Sequence, residues 1–412
     1  MTVTVRILKN AYGGDGLGRL GDGRVVFVPG AWTGESVLAE IVEEKRHFVR
    51  SRLVEVLEAS ADRRPGDAFA AVPGCPYATL SPDGERRAKE AQLVEFLERA
   101  RIGFEPSQLV KSERLREESV AGYRNKAVYH FARQRGAWAL GYRTEPSHEI
   151  VDLPSDPTVV REINAALPDV RRHVLQLLTT GASAVRRDVE RQGNVTVRWS
   201  ARTGVKWWIG EAPKDLVIKE DTAGRTFEVP GGGFYQVNPA VADRLVRAVT
   251  AEYARSLETA ANVLDLYCGV GVFGLALLDE ARRQGVTARL TGIESGREAI
   301  DFARRNAAAF GTQARFFAEQ VGRNLRRLKI GPRTCVVIDP PRGGLEPGVA
   351  DFLARSPAPR IFAVSCDPAT LARDLKPLSR SYAIESVRWF DMFPRTARFE
   401  TFVTLRRRSA GL

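Results

Sequence analysis

The chain has 412 residues, 44% of them hydrophobic, with a formal net charge of +12 and a pI near 9.8. This length predicts two or three domains, and the hydrophobic share excludes an intrinsically disordered chain. No apolar run approaches the ~20 residues of a membrane span and no export signal is recognisable, so we expect a cytoplasmic protein without a membrane partner. The basic charge favours a polyanionic partner, although an arginine-rich genome would give the same pI.

The cysteines and histidines limit the possible chemistry. Four cysteines stand at positions 75, 268, 335 and 366, without a CxxC pair, and the four histidines include no HxxxH pair. A disulfide framework or a zinc ribbon would need closer spacings. The sequence therefore predicts no metal at the catalytic centre.

The first half of the chain predicts a mixture of strands and helices. Residues 1–58 predict a small β-barrel, because VTVRIL and RVVFVP alternate on either side of a glycine-rich turn. A helix is predicted over about 85–100, with an apolar stripe of Ala88, Ala91, Leu93 or Val94, Phe96 and Leu97. Two antiparallel strands are predicted within Tyr123–Tyr142, and mixed helix and sheet over 158–240.

From Asn262 onward the pattern changes to apolar strands separated by segments of helix length. This alternation predicts a parallel, doubly wound α/β sheet. We therefore divide the chain into a barrel at 1–58, a central α+β domain at 59–225 and a catalytic α/β domain at 226–412.

The segment that runs from Asp265 to Gly274, DLYCGVGVFG, matches the GxGxxG pattern of cofactor-binding turns. Both a dinucleotide and a sulfonium cofactor would need glycines there, and Glu294 at the end of the next strand suits ribose hydroxyls in either case. The acid at Asp265 would repel a pyrophosphate but can accept from the ammonium of a methionine moiety. The motif thus favours S-adenosylmethionine over NAD.

A second motif, VVIDPPRGG, places Asp339 at the carboxyl end of a buried strand, where it opens into the ligand crevice of a parallel sheet. Enzymes that methylate exocyclic amines carry an aromatic residue after the two prolines. This chain has Arg342 at that place, so amine methylation is disfavoured.

A third motif, AVSCDPATLARDL, predicts a reactive thiol. Cys366 ends a strand, and Asp367 can cap the following helix, whose N-terminus favours a thiolate. A thiolate that adds to carbon 6 of a pyrimidine activates carbon 5 toward a methyl group. A base must then remove the carbon 5 proton, and Glu400, between two apolar runs that could raise its pKa, is the candidate.

These motifs, in this order and over nearly the whole chain, resemble the bacterial RNA uracil-C5 methyltransferase family. The resemblance implies a Rossmann-like class I methyltransferase domain, an N-terminal TRAM barrel of the OB type and a central RNA-binding α+β segment. It also implies Cys366 as nucleophile and Glu400 as proton acceptor. The expected S-adenosylmethionine-binding residues are Gln236, Tyr267, Gly269, Gly271, Glu294 and Asp339.

The chain departs from the family pattern in three ways. Many relatives hold an iron–sulfur cluster with four cysteines, where this chain has Gly66, Val72, Cys75 and Asp156. One thiol cannot hold such a cluster, so none is expected and Cys75 is expected to be a core residue or a relic. The family's asparagine after the nucleophile is Asp367 here, which would oppose thiolate formation, and its usual histidine is Arg398, which could pair with RNA phosphate or with Glu400.

The resemblance leaves the substrate open. A TRAM domain favours 23S ribosomal RNA, while the T-loop of transfer RNA is the alternative, and related architectures suggest a monomer. Two other classes remain: a non-catalytic RNA-binding or ribosome-assembly factor on the same fold, and an NAD-dependent enzyme. A covalent adduct with RNA would exclude the first, and cofactor binding would exclude the second.

Overall fold

The computed structural model describes residues 1–110, 120–134, 136–144, 149–180 and 192–409. The chain divides into two compact units. The first comprises Met1–Leu93, Glu113–Arg198 and Phe393–Arg398, and the second comprises Val94–Ser112, Trp199–Met392 and Phe399–Leu412. Among the described residues, no helix combines the length and the apolar character required to cross a bilayer.

Six strands open the first unit: β1 (Thr2–Arg6), β2 (Lys9–Asn10), β3 (Gly16–Arg19), β4 (Val25–Val28), β5 (Ser36–Glu44) and β6 (Phe48–Glu58). They form one sheet in the order β1-β5-β6-β4-β3-β2. Alternate residues such as Val5, Val26 and Val37 are buried in a shared core, as the period of two predicts. Gly18 is required where the strands approach, because a Cβ there would lie 2.4 Å from the Val5 side chain. The segment for which the sequence predicts a small β-barrel thus forms a six-stranded sheet, whose last strand ends at Glu58.

The predicted helix is α1 (Pro82–Ala100), but its buried face is more polar than the sequence pattern suggested. Leu93 and Leu97 are buried, whereas Ala91 is exposed, and the buried positions include Glu85, Lys89 and Gln92. The apolar-stripe prediction is therefore confirmed at Leu93 and Leu97 and wrong at Ala91. The cause is tertiary packing, because the polar face of α1 contacts charged and carbonyl groups from elsewhere in the first unit.

Glu85 is the centre of this polar face. The Lys89 ammonium donates to Glu85 Oε1 at 2.7 Å, and both side chains are 0% exposed. The backbone N–H of Arg395 donates to the same oxygen at 2.8 Å, and the Arg395 guanidinium donates to the Leu80 carbonyl at 2.6 Å. One carboxylate thus compensates buried positive charge on two separate segments of the chain.

Replacing Glu85 with alanine is expected to lower the free energy of unfolding by about 3–5 kcal/mol, because the substitution leaves buried cations without their acceptor. Urea denaturation followed by tryptophan fluorescence would measure the change. Glu95→Ala is the control, since it removes a partly exposed partner of Arg99 on the same helix and should cost less than about 0.5 kcal/mol. Equal losses in the two variants would contradict the assigned role of Glu85.

The middle of the chain contains, in order, β7 (Leu109–Val110), β8 (Lys126–Gln134), β9 (Ala137–Arg143), β10 (Ile150–Asp152), α2 (Arg161–Thr180), β11 (Gln192–Ser200), β12 (Gly204–Ile209), β13 (Val217–Thr222) and β14 (Arg225–Pro230). In the first unit β8 pairs antiparallel with both β9 and β11, and β9 pairs with β10. The predicted antiparallel pair and the mixed helix and sheet that follow are confirmed.

The second unit continues with α3 (Pro239–Ala254), β15 (Asn262–Leu266), α4 (Val272–Arg283), β16 (Leu290–Glu294), α5 (Arg297–Asn306), β17 (Ala314–Ala318), α6 (Val321–Asn324), β18 (Thr334–Ile338), α7 (Val349–Arg355), β19 (Arg360–Ser365), α8 (Pro368–Leu378), β20 (Tyr382–Phe390) and β21 (Glu400–Arg407). The sheet order is β17-β16-β15-β18-β19-β21-β20-β7. Five adjacent strands, from β17 to β19, are parallel, and β21 is antiparallel to both of its neighbours. The predicted doubly wound sheet is confirmed.

The strand order determines where a ligand can bind. The chain moves from β15 outward to β16 and β17, then returns to the other side of β15 with β18. Such a reversal leaves a crevice at the carboxyl ends of the strands. The antiparallel strand β21 lies between β19 and β20, and the usual dinucleotide-binding sheet has no such strand. The topology therefore disfavours an NAD-dependent enzyme.

Candidate functional site

The glycine-rich turn between β15 and α4 lies at this crevice. Tyr267, Gly269 and Gly271 all have positive φ values, of 64°, 53° and 88° respectively. Glycine adopts such backbone conformations freely, whereas a tyrosine is strained in them and must be held by its surroundings. The Tyr267 hydroxyl accepts the N–H of Glu346 at 3.4 Å, which supplies part of that restraint. The turn therefore holds its backbone in the conformation expected for close approach to a ligand.

Asp265 in β15 is hydrogen-bonded to the first turn of α4. One oxygen of its fully buried carboxyl accepts the N–H of Gly274 at 2.8 Å. A Cβ at Gly274 would lie 2.6 Å from the Leu290 side chain, so only glycine lets α4 pack this closely on the sheet. The sequence predicts that Asp265 faces the ammonium of a methionine moiety. The structure shows one oxygen bound to the turn, while Oδ1 is buried without a partner among the described residues and fits such a donor.

Two further predicted cofactor residues, Glu294 and Gln236, lie at the end of β16 and just before α3. Glu294 is the last residue of β16, and its Oε1 accepts from Ser295 and from the N–H of Gly296. Gln236 is half-buried in a segment held on both sides: the Tyr235 hydroxyl lies 2.6 Å from Thr222 Oγ1, and Asn238 caps α3. Gly269, Gly271, Glu294 and Tyr267 thus come together at the ends of β15 and β16, in a setting that fits a nucleoside with an aminoacyl arm.

The sheet register brings the proposed catalytic residues together. Asp339 and Cys366 directly follow β18 and β19, and Glu400 is the first residue of β21. Ile338 pairs with Ala363 and Ser365 pairs with Thr401, so an antiparallel strand starts where its parallel neighbours end. Residues from three separate motifs therefore share one edge of the sheet.

Burial and nearby carboxyls disfavour the thiolate of Cys366 in the free protein. Burial first, and then the carboxyls of Glu400 and Asp339, raise the pKa of Cys366 to about 12 against the opposing effect of Arg342. The effect that the sequence predicts for the helix terminus is opposed in the free protein by burial and by two acids, which other strands bring to Cys366.

Glu400 lies in a desolvated position. It is 3% exposed, and its Oε2 is buried without a hydrogen-bond partner among the described residues. Burial and the nearby Asp339 raise the pKa of Glu400 well above its ordinary value, while Arg342 lowers it. The direction agrees with the sequence prediction. A carboxylate whose pKa is raised in this way is suited to accept a proton.

Sequence reasoning missed the part played by Arg342. This exposed residue is the cation that lowers the pKa values of both Cys366 and Glu400, and so favours their charged forms. Its place directly after the two prolines of the second motif was the available signal. The sequence argument took Arg342 only as evidence that no aromatic residue follows the prolines.

The two family departures near the site have structural explanations. Asp367 caps α8, because one of its oxygens accepts the N–H groups of Ala369 and Thr370 at 3.0 Å each. Its charge also raises the pKa of Cys366, as expected from the sequence. Arg398 donates to the Tyr12 hydroxyl at 2.8 Å and lies over that ring, a partner that the sequence did not suggest.

Asp367→Asn is expected to speed alkylation of Cys366 by iodoacetamide by about twofold at fixed pH, because loss of the charge lowers the pKa of Cys366. Asparagine caps helices as well as aspartate does, so α8 should be unaffected. Asp367→Ala should raise reactivity similarly but cost about 0.5–2 kcal/mol of stability through the lost cap. Because the other three cysteines are buried, labelling reports on Cys366, and Cys366→Ser is the blank. Slower alkylation of the asparagine variant would contradict this account.

Cys75 is confirmed as a core residue. It packs with Phe69, Val72, Ala78 and Leu153, and burial raises the pKa of its thiol to about 12. Asp156, another of the places where relatives have cluster ligands, accepts hydrogen bonds from the hydroxyls of Tyr129 and Tyr142 at 3.1 and 2.6 Å. A valine, one buried thiol and a fully engaged carboxylate do not fit an iron–sulfur cluster.

Comparison with known families matches two parts of the chain. The family model described as tRNA (uracil-5-)-methyltransferase matches residues 214–408. The model of the TRAM domain matches residues 1–54. The first match contains every predicted site residue, and the second coincides with the six-stranded sheet.

Relatives match over almost the full length. An uncharacterized RNA methyltransferase of Streptomyces coelicolor is 33% identical over 432 residues, covering 98% of this chain and 92% of the relative. The 23S rRNA (uracil(1939)-C(5))-methyltransferase RlmD of Halomonas elongata is 31% identical over 433 residues, covering 96% and 87% respectively.

A solved structure has the same fold. The Pyrococcus abyssi tRNA (uracil-54, C5)-methyltransferase, crystallised with S-adenosyl-L-homocysteine, superposes with a TM-score of 0.72 and 24% identity over 98% of this chain and 100% of that one. The Rossmann-like class I methyltransferase fold with an N-terminal TRAM domain is thereby confirmed.

Proposed function

Because this chain belongs to the RNA uracil-C5 methyltransferase family, whose members use S-adenosylmethionine to methylate carbon 5 of uracil in RNA, we propose that Cys366 is its covalent nucleophile and Glu400 its proton acceptor. The observation that carries this assignment is the shared sheet edge. It brings one partly accessible thiol and one buried, unpaired carboxylate oxygen into the same electrostatic cluster.

The proposed reaction begins at carbon 6 of the uracil. The Cys366 thiolate adds there, and the ring electrons move to give an enolate, so carbon 5 becomes nucleophilic and takes the methyl group. Glu400 then removes the proton from carbon 5, and the sulfur–carbon 6 bond breaks to restore the double bond and the thiolate. The bound S-adenosylmethionine supplies the methyl group, and Gln236, Tyr267, Gly269, Gly271, Glu294 and Asp339 would hold it.

Because the pKa of Cys366 is raised, the thiol must first release its proton to solvent before the thiolate adds to carbon 6. Arg342 is the cation whose charge stabilises the thiolate, and the uracil would complete a site from which water is excluded. Carbon 6 is inaccessible inside a stacked helix, so the target uridine must be flipped out or already unstacked.

We place the substrate in 23S ribosomal RNA, in the cytoplasm. Two observations support this choice: the N-terminal TRAM domain, and a relative that is 31% identical and is named as a 23S ribosomal RNA enzyme. The TRAM sheet carries eight basic and eight acidic residues within 1–58, so it would recognise RNA by local arrangement rather than by bulk charge.

Transfer of tritium from labelled S-adenosylmethionine to total RNA that lacks 5-methyluridine would test the substrate. We expect labelled 5-methyluridine in the large-subunit ribosomal RNA fraction. Label confined to transfer RNA would reassign the substrate and leave the chemistry intact. Tight RNA binding without any label would instead support the non-catalytic RNA-binding factor.

A further inference from the structure

One face of the catalytic sheet carries an open cleft away from the predicted cofactor and catalytic residues. The cleft has a volume of about 640 Å³ and is lined by parts of β15, β16 and β17 together with residues 327–331. Leu264, Ile293 and Phe317, which lie on one face of the sheet, give it an apolar floor. We call this feature the basic cleft, after the cations at its rim, Arg289, Arg327 and Lys329.

The cleft lies where the connection between β17 and β18 contains no long helix. A doubly wound sheet normally has helices on both faces. Here that connection contains α6, of four residues, and a 3₁₀ turn at Leu325–Arg327, and Phe317 beside it is left exposed. Strand alternation confirms the face: Phe316 packs toward Gly271 and Gly292, whereas its neighbour Phe317 points to the opposite side.

The connection is also strongly basic. Residues 323–333, RNLRRLKIGPR, contain five basic residues and no acidic one. Among the described residues, no ion pair engages Arg289, Arg327 or Lys329, and Glu319 is the one acidic side chain among those that line the cleft. Cations that no protein carboxylate neutralises, around a concave surface, form a site for a polyanion.

An aromatic ring lies beside these charges. Phe317 is 42% exposed, an unusual state for a phenylalanine in a parallel sheet. It pairs in register with Ile293, and Arg315, two residues earlier on the same face, is also exposed. A basic groove with an accessible aromatic face is the usual arrangement for binding single-stranded nucleic acid, because phosphates meet the cations while a base stacks on the ring.

We propose that the basic cleft is a second RNA-docking site, which binds a single-stranded segment of the substrate with its phosphates on Arg289, Arg327 and Lys329 and a base against Phe317. This inference rests on RNA being the substrate. The site is separate from the predicted cofactor residues, since Ile293 lines the cleft whereas the side chain of the adjacent Glu294 points to the opposite face of the sheet. Its role is to hold the RNA, not to react with it.

Fluorescence anisotropy of a labelled oligouridylate with the full chain, over a range of KCl concentrations, would test the proposal. The double variant Arg327→Ala/Lys329→Ala should weaken binding about tenfold. It should also reduce the salt slope by about 1.4, since each phosphate contact on a single strand contributes about 0.7. Phe317→Ala should weaken binding about fivefold with the slope unchanged, because stacking releases no counterions.

The control is Arg323→Ala/Arg326→Ala. It removes the same charge from the same connection, at exposed positions outside the cleft lining, and should leave both affinity and slope nearly unchanged. Equal losses in the two double variants would overturn the proposal in favour of bulk charge. Loss of S-adenosylhomocysteine binding in Arg327→Ala/Lys329→Ala would also overturn it, because the cleft would then belong to the cofactor site.

A failure of the proposed catalytic chemistry would be distinguishable. At saturating RNA the cleft variants should form the Cys366 adduct and turn over with unchanged kcat and a raised KM for RNA. Absence of the adduct in every protein, including the unmodified chain, would count against the assigned nucleophile and leave the binding measurement valid.

Discussion

Replacing Cys366 with alanine is expected to abolish 5-methyluridine formation, with a rate reduced by roughly 10⁴-fold or more, as removal of a covalent nucleophile generally does. Without the sulfur, carbon 5 of the uracil has no activation toward the methyl group. The same variant should form no covalent complex with RNA on a denaturing gel. Tritium transfer to unmodified ribosomal RNA and gel retardation of the labelled RNA would measure the two effects.

The matched control for this substitution is Cys75→Ala. It removes a thiol whose pKa is also raised by burial, but from an apolar cluster in the first unit. It should keep both the methylation and the adduct, with a loss of stability from the smaller side chain. Methylation by Cys366→Ala at a rate near that of the unmodified protein would rule out the covalent route.

Replacing Glu400 with glutamine is expected to separate the two halves of the reaction. Addition of Cys366 and transfer of the methyl group do not need the base, but removal of the carbon 5 proton does. We therefore expect a methylated protein–RNA adduct that accumulates and decays slowly, with turnover reduced by about 10²–10⁴-fold. The tritium should remain with the protein on a denaturing gel.

The pH dependence supplies an independent readout. The pKa of Glu400 is raised, so the fraction in the ionised, proton-accepting form increases as pH rises through that value. Release of product by the unmodified protein should therefore speed up with pH, whereas the residual release by Glu400→Gln should lack this dependence. The double variant Cys366→Ala/Glu400→Gln should form no adduct. If Glu400→Gln turned over at the normal rate without an adduct, another group would have to be the proton acceptor.

Much of the catalytic unit could be read from the sequence. The apolar runs that became β15, β18 and β19 are buried on both faces, so their composition alone marks them as central parallel strands. Because parallel strands place their carboxyl ends at one edge, the residues that follow them, among them Asp339 and Cys366, could be assigned to a common site. These features depend on short stretches of chain, where periodicity and turn residues carry the information.

Other features depend on contacts between distant segments, and no local pattern encodes them. The sequence pattern of an amphipathic helix could not predict that the Glu85 carboxylate is buried, because its partner Arg395 lies 310 positions away along the chain. Arg398 donates to the hydroxyl of Tyr12, which lies 386 positions away along the chain. The raised pKa of Cys366 has the same origin: the strand and the helix terminus beside it are local, but the carboxyls of Glu400 and Asp339 arrive with other strands. The sequence by itself determined which groups stand at the ends of the strands, and the tertiary structure decided the direction in which their pKa values shift, because burial and neighbouring charges come from distant segments of the chain.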